Sequence, residues 1–396
     1  MKFPVKIVIC LCSLLAVPLT AQAAPAELSA SEIGAAGAVL MDAKTGRVLW
    51  GKNEHEPLPM ASTTKIMTCL YAIEHASLDD TVTVSPRAAA APEVRLGLAA
   101  GEKIRLGDLL YPLMLESAND AAVAIAEHVG GSVEEFCRRM TAEARETGAR
   151  DTAFETPNGL DQGNHHSTAY DMALITRRAL ANETFRRVIN TADKTIESDR
   201  RSYPLINKNR LLREYPGANG VKTGFTGKAG QCFVGSATRD GRTLISVVLA
   251  SGWGDRGKQR KWTDTKALLD YGFGNFSYVT VAQAGKHVAR TPVARSKTKE
   301  VGLAFGESLE MMLSAGEKEQ IRIQLFMPGG VKAPVAAGQP LGLARVYDGG
   351  RLAASIPLLA EAGAARHDWK TSLEKTLRGW FSQGLDEGGQ LVLPDF

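Results

Sequence analysis

The sequence predicts an α/β (α+β) domain, a small all-β domain behind it, and an amphipathic helix at the end of the chain. Three observations predict it. Strand-like runs open and close the region before Phe276 around a helical middle. Beyond Phe276 the runs become short, β-type and separated by Gly and Pro, and from Arg366 apolar residues recur at spacings of three and four. Composition agrees: 44% hydrophobic and 23% charged residues exclude a disordered chain, a collagen and a polytopic membrane protein. The net charge is only +4 and no Lys/Arg block interleaves with aromatics, which excludes a nucleic-acid binder.

Lys2 and Lys6 flank the start of an apolar run over residues 7–19 that ends at Ala21-Gln22-Ala23, the layout of a secretory signal removed after Ala23. A membrane span wants about 20 apolar residues, and Pro18 followed by small and polar residues argues against one. The expected division is 1–23 signal peptide, 24–276 first domain, 277–362 β-rich domain and 363–396 helix and tail. Removing the signal also removes Cys10 and Cys12. Cys69, Cys137 and Cys232 remain, an odd set that predicts buried thiols instead of a disulfide framework.

Residues 37–51 read as two short strands joined by a turn with Gly46 left-handed. Helices are expected at 62–76, 106–115, 119–129, 133–147 and 169–180, the last two opened by capping boxes, Ser132 with Glu135 and Thr168 with Asp171. Strands return at 232–237 and 243–251, so strands from both ends of the domain are expected to share one sheet. In the second domain strands are expected at 301–305, 309–313, 321–327, 341–346 and 352–358, with Ile321, Ile323 and Leu325 alternating with Arg322, Gln324 and Phe326. Finally, Trp369, Leu373, Leu377, Trp380, Phe381 and Leu385 form one face of a helix whose other face carries Lys370, Glu374, Lys375 and Arg378. The terminal position and the Trp/Lys/Arg mix favour a helix lying on a membrane surface over one docked on its own domain.

Ser62-Thr63-Thr64-Lys65 puts a hydroxyl and an amine three residues apart at a helix start, on one face, where the amine could deprotonate the hydroxyl if its pKa were lowered. The S-x-x-K pattern also occurs at Ser296 and Ser372, and K-T-G occurs at both Lys44 and Lys222, so neither is specific alone. Only Ser62 is followed in order by Ser117-Ala118-Asn119 at a helix junction and by Lys222-Thr223-Gly224 leading into a strand. Three ordered motifs in suitable settings are specific.

At these residues the chain resembles the serine D-alanyl-D-alanine carboxypeptidases, the low-molecular-weight penicillin-binding proteins. The likeness is close in ASTTKIMT (61–68), ESANDAA (116–122), TPNGLD (156–161), GVKTGFTGKAG (220–230) and DTKALLDYGF (264–273). It implies a penicillin-binding/serine β-lactamase-like peptidase domain that removes the terminal D-alanine from peptidoglycan pentapeptide stems and is acylated by β-lactams. It implies no cofactor and no metal, and export to the outer face of the cytoplasmic membrane. By the same resemblance Ser62 is the acylated nucleophile, Lys65 the proton acceptor and Ser117 the relay towards the leaving D-Ala. Asn119 holds the substrate amide, and Lys222 and Thr223, with Gly224 completing the motif, engage the terminal carboxylate. Two lysines converging on one cleft disfavour each other's charge and burial disfavours both, so Lys65 is expected to act as base near neutral pH. The expected oxyanion donors are the main-chain N–H groups of Ser62 and Phe225.

Several family members carry His where this chain has Phe225. A basic residue is also usual before the D-T-K-A-L-L helix, and Arg260 and Lys261 both qualify. A class A β-lactamase shares the nucleophile but adds a deacylating glutamate, for which Glu155 is the candidate. Zinc peptidases need convergent His ligands, yet of seven His only His165 and His166 are clustered. A Ser-His-Asp site lacks its G-x-S-x-G turn. The non-enzymatic alternative is a wall-binding or penicillin-binding module that has lost turnover.

Overall fold

A computed structural model describes residues 5–10, 27–367, 369, 370, 373 and 376–378. It divides into two compact units, Ala23–Ser277 and Met1–Gln22 with Tyr278–Phe396.

The first unit is built on a five-stranded antiparallel sheet in the order Val48–Lys52, Gly37–Asp42, Arg242–Leu249, Gly230–Arg239, Ala218–Thr226. Strands from both ends of the domain share it, as expected, with Val39 opposite Val247. Every residue of Gly37–Asp42 is buried because both faces are covered. Val39 and Met41 join the core with the helical layer, while Leu40 on the other face lies against Gly272 of helix Gly254–Asn275. The left-handed residue of the hairpin turn is Gly46, at φ +77°.

Helices expected at 119–129, 133–147 and 169–180 run over Asn119–Gly130, Val133–Glu146 and Ala169–Ala181. Their capping boxes are only half made. Ser132 and Thr168 accept from the N–H of Glu135 and Asp171, at 3.2 and 2.9 Å. The two carboxylates turn elsewhere, Glu135 to Arg138 and Arg139, and Asp171 to the Asp151 N–H and the Thr152 hydroxyl. For Glu135 a guanidinium is a stronger partner than one exposed N–H. The helix expected at 106–115 stops at Tyr111 and gives way to a wide turn, Pro112–Glu116, since Pro112 brings no N–H to the helical ladder. The helix expected from Ser62 begins as the tight turn Ala61–Thr64 and becomes α-helical over Lys65–His75. K-T-G does not precede a strand but lies within one, Ala218–Thr226.

In the second unit all five expected runs are strands. A seven-stranded sheet has the order Val5–Cys10, Arg322–Pro328, Pro340–Asp348, Arg351–Ala360, Glu300–Phe305, His287–Ala294, Val331–Lys332, and Phe276–Ala282 pairs separately with Leu309–Ser314. Its core holds Leu303, Leu325, Ala344, Val346, Ile356 and Leu358. Of the alternating residues Leu325 is buried, whereas Ile321 and Ile323 are half-buried against it. Val5–Cys10, within the segment read as a signal, pairs from Val5↔Pro328 to Cys10↔Ile323. Removal of that segment would leave Arg322–Pro328 as the sheet edge.

At the C-terminus Trp369, Lys370, Leu373, Thr376, Leu377 and Arg378 are helical and exposed. Glu374, Lys375, Trp380, Phe381 and Leu385 lie outside the described residues. Among the described residues no helix is long and apolar enough to cross a membrane. Cys69, Cys137 and Cys232 are buried thiols, each pushed up by desolvation, the last two to about 12.

Candidate active site

Three residues apart on the turn into helix Lys65–His75, Ser62 and Lys65 leave the chain on one side. The Lys65 side chain is wholly buried, and its Nζ lies 2.9 Å from Ser62 Oγ, 2.8 Å from Asn119 Oδ1 and 2.6 Å from the Asn158 carbonyl. Asn119 is fixed for this contact. Its Nδ2 donates to the Pro92 carbonyl at 3.0 Å and its main-chain N–H to that of Val94 at 2.7 Å, leaving Oδ1 to accept from the lysine.

Burial, then the charge of Lys222, holds Lys65 well below the usual lysine range, with Asp120 opposing. A neutral amine has two N–H groups and one lone pair. With Asn119 and Asn158 accepting two N–H groups, the remaining position on Nζ faces Ser62 Oγ, which itself lies 3.3 Å from the Asn158 carbonyl. Lys222 is also buried and is pushed down to about 7, first by burial and then by Lys208 and Lys261, with Glu116 opposing. Lys222 Nζ donates to the Thr223 carbonyl at 2.9 Å.

Two glycines allow the close approaches that assemble the site. A Cβ on Gly224 would lie 3.1 Å from Met60 O, Ser62 N and Thr63 N, so the K-T-G strand passes directly against the Ser62 amide. Gly159, at φ +85°, presses on the Ala61 carbonyl, where a Cβ would sit 1.9 Å away. Phe225 follows on the edge strand with its side chain 53% exposed. Opposite it, Gln231 accepts from Lys261 Nζ at 2.6 Å. Lys261 is buried and pushed down to about 8. Arg260 instead faces Gly34 and lies 4.0 Å from Asp264, so Lys261 is the basic residue turned towards the site. Ser117 occupies the junction before Asn119–Gly130 in a left-handed conformation, φ +67°, and its hydroxyl has no hydrogen-bond partner among the described residues.

His165 is a structural post. Its Nδ1 accepts from the Glu155 N–H at 3.0 Å and its Nε2 faces Thr64 Oγ1 at 2.9 Å, tying the loop that carries Asn158 to the turn that carries Ser62. Glu155 itself is exposed and has no hydrogen bond to Ser62 among the described residues, which speaks against a deacylating glutamate. Among the described residues, the cluster of metal-ligand types is Glu74, His75 and Glu143, at the far end of helix Lys65–His75, and Arg178 already pairs with both carboxylates. Asn158 was the contributor hidden from sequence reasoning, because its main-chain carbonyl does the work and any residue type would supply one.

The D-alanyl-D-alanine carboxypeptidase family profile matches residues 21–252, and that of the penicillin-binding protein 5 C-terminal domain matches residues 276–364. The chain is 33% identical over 353 residues to D-alanyl-D-alanine carboxypeptidase DacF of Bacillus subtilis, covering 87% of this chain and 90% of that protein. To DacD of Escherichia coli it is 32% identical, covering 83% and 86%. Among solved structures, penicillin binding protein 5 from Haemophilus influenzae superposes with a TM-score of 0.69 at 28% identity, over 86% of this chain and all of the other. DacD from Francisella tularensis does so at 0.69 and 26%, over 89% and 97%.

Proposed function

Because this chain belongs to the D-alanyl-D-alanine carboxypeptidase family, a family of serine hydrolases, we propose that Ser62 is its nucleophile and Lys65 the base that activates it. The observation that carries this is the buried Lys65 amine 2.9 Å from Ser62 Oγ, with both of its N–H groups accepted elsewhere. Ser62 Oγ attacks the carbonyl of the penultimate D-Ala of a peptidoglycan pentapeptide as its proton moves to Lys65 Nζ. The oxyanion forms against the N–H groups of Ser62 and Phe225, whose strand the Gly224 contact presses onto the nucleophile. The C–N bond to the terminal D-Ala breaks, and the leaving amine takes the proton from Lys65 by way of Ser117, whose unpaired hydroxyl is available for that exchange. Water then attacks the ester, Lys65 accepting its proton, and Ser62 is restored. Lys222 and Thr223 hold the terminal carboxylate. Asn119 orients Lys65 through Oδ1, and the second N–H of its Nδ2, beyond the one given to Pro92, is left to hold the substrate amide as the resemblance implied. β-Lactams acylate the same oxygen.

Export through the segment 1–23 puts this chemistry outside the cytoplasmic membrane. Attachment there is supported by the terminal helix. Trp369, Leu373 and Leu377, four residues apart on one stripe, are 63%, 49% and 39% exposed.

Ser62→Ala should lose D-alanine release from a pentapeptide and covalent labelling by penicillin, each by ~10³-fold or more. Lys65→Ala should fold and acylate at least ~10²-fold more slowly. Labelling that survives in Ser62→Ala would overturn the assignment.

A further inference from the structure

We propose that Phe225 and Trp253 form an aromatic wall that selects the stem-peptide residue preceding the D-Ala-D-Ala pair, favouring a long aliphatic side chain there. The inference rests on the roles proposed above for Lys222, Thr223 and the Phe225 N–H.

Those roles fix a direction. Strand Ala218–Thr226 is the edge of its sheet, with one row of main-chain groups open to an extended peptide. If the terminal carboxylate sits at Lys222 and Thr223 and the scissile carbonyl at the Phe225 N–H, the rest of the acyl chain continues past Phe225. At about 3.3 Å per residue, the residue before the D-Ala-D-Ala pair reaches the end of the strand at Thr226 and Gly227.

Trp253 is fixed at that end. Its Nε1 donates to the Gly227 carbonyl at 2.8 Å, and its ring covers Gly230, where a Cβ would lie 3.2 Å from Cε2. Gly230 pairs with Thr226, and Gln231, the partner of Phe225, donates its N–H to the Gly252 carbonyl at 2.9 Å. The indole is therefore held one residue beyond the segment bonded to Phe225's own strand partner. It is nevertheless 56% exposed.

Exposed apolar surface on this unit is concentrated here. Among the described residues of Ala23–Ser277 the large apolar side chains left exposed are Val94, Ile206, Phe225 and Trp253. The Val94 carbonyl holds the N–H of Asn119, and the Ile206 N–H is held by Glu116 beside Ser117 at 2.9 Å. Two of the four, Phe225 and Trp253, thus lie at the end of the K-T-G strand, and the main chains of the other two bond to residues beside Ser117, as expected of a surface that is covered when substrate binds. Aromatic faces bury the methylenes of a long aliphatic chain and gain nothing from an absent one.

The test is a ratio of kcat/KM values for two peptides, diacetyl-L-Lys-D-Ala-D-Ala and acetyl-Gly-D-Ala-D-Ala. The wild type should prefer the lysyl peptide. Phe225→Ala and Trp253→Ala should each lower the preference by about 10-fold, and Trp253→Phe, which keeps an aromatic ring, should restore most of it. A preference unchanged in both alanine variants, or equal losses on both peptides, would overturn the wall while leaving the nucleophile assignment standing. Turnover of neither peptide by the wild type would overturn both.

Discussion

Acidification from pH 6.5 to pH 4 should cost the folded protein about 3 kcal/mol through His165. Thr64 Oγ1 donates to the Ala61 carbonyl at 2.8 Å, so it accepts from Nε2–H of His165, and Nδ1 accepts from the Glu155 N–H. Both ring nitrogens are committed to the neutral form. A proton on Nδ1 would point at an N–H group inside the protein. Burial accordingly pushes the imidazole down from 6.5 to about 4, with His166 and Lys65 adding and Asp161 opposing. The unfolded chain binds the proton near 6.5 and the folded one only near 4. The stabilisation is therefore complete above pH 6.5 and is lost as pH falls through that window. At about 1.4 kcal/mol per pH unit the gap amounts to about 3 kcal/mol. Urea denaturation of the wild type and His165→Asn at pH 7.5, 6, 5 and 4 measures it. Asparagine keeps an acceptor for the Glu155 N–H but does not titrate. The variant should be less stable by about 2 kcal/mol at pH 7.5, the difference should vanish near pH ~5, and at pH 4 the variant should be the more stable by about 1 kcal/mol. Carboxylates titrate in both proteins and cancel in the comparison. Parallel curves across the range would refute the argument. The consequence reaches catalysis, since the loop that His165 holds carries the Asn158 carbonyl that positions Lys65.

Gly224→Ala should slow penicillin acylation by roughly 10- to 100-fold with little change in thermal midpoint. The new Cβ meets three main-chain atoms at 3.1 Å, so the strand must retreat by a few tenths of an ångström from the Ser62 amide. An unchanged acylation rate would sink the claim that this approach sets the oxyanion pair. A chain ending at Ala362 should lose co-sedimentation with phosphatidylglycerol vesicles by ~10-fold or more. Equal sedimentation of the full chain and the truncated one would remove the terminal helix as an anchor.

Local patterns in the sequence determined the fold class. The hairpin at 37–51, the helices at 119–129, 133–147 and 169–180, and the five β-domain strands carry periodicity or turn residues that act within a few positions, so they could be read before any contact was known. Reading failed where a longer-range choice intervened. Glu135 and Asp171 took partners other than the cap, Pro112 ended a helix the apolar pattern would have continued, and the buried strand Ala218–Thr226 shows no alternation around K-T-G.

The order of S-x-x-K, S-x-N and K-T-G is likewise a property of the sequence, as are the residue types able to attack, accept a proton or bind a carboxylate. Only the tertiary structure decided that the Lys65 amine is buried, that a main-chain carbonyl from residue 158 takes one of its N–H groups, and that Lys261 faces the site where Arg260 does not. The reason is physical. A side chain's chemistry belongs to its covalent structure, but its pKa and orientation depend on the dielectric and dipoles around it, and those are supplied by segments far away along the chain.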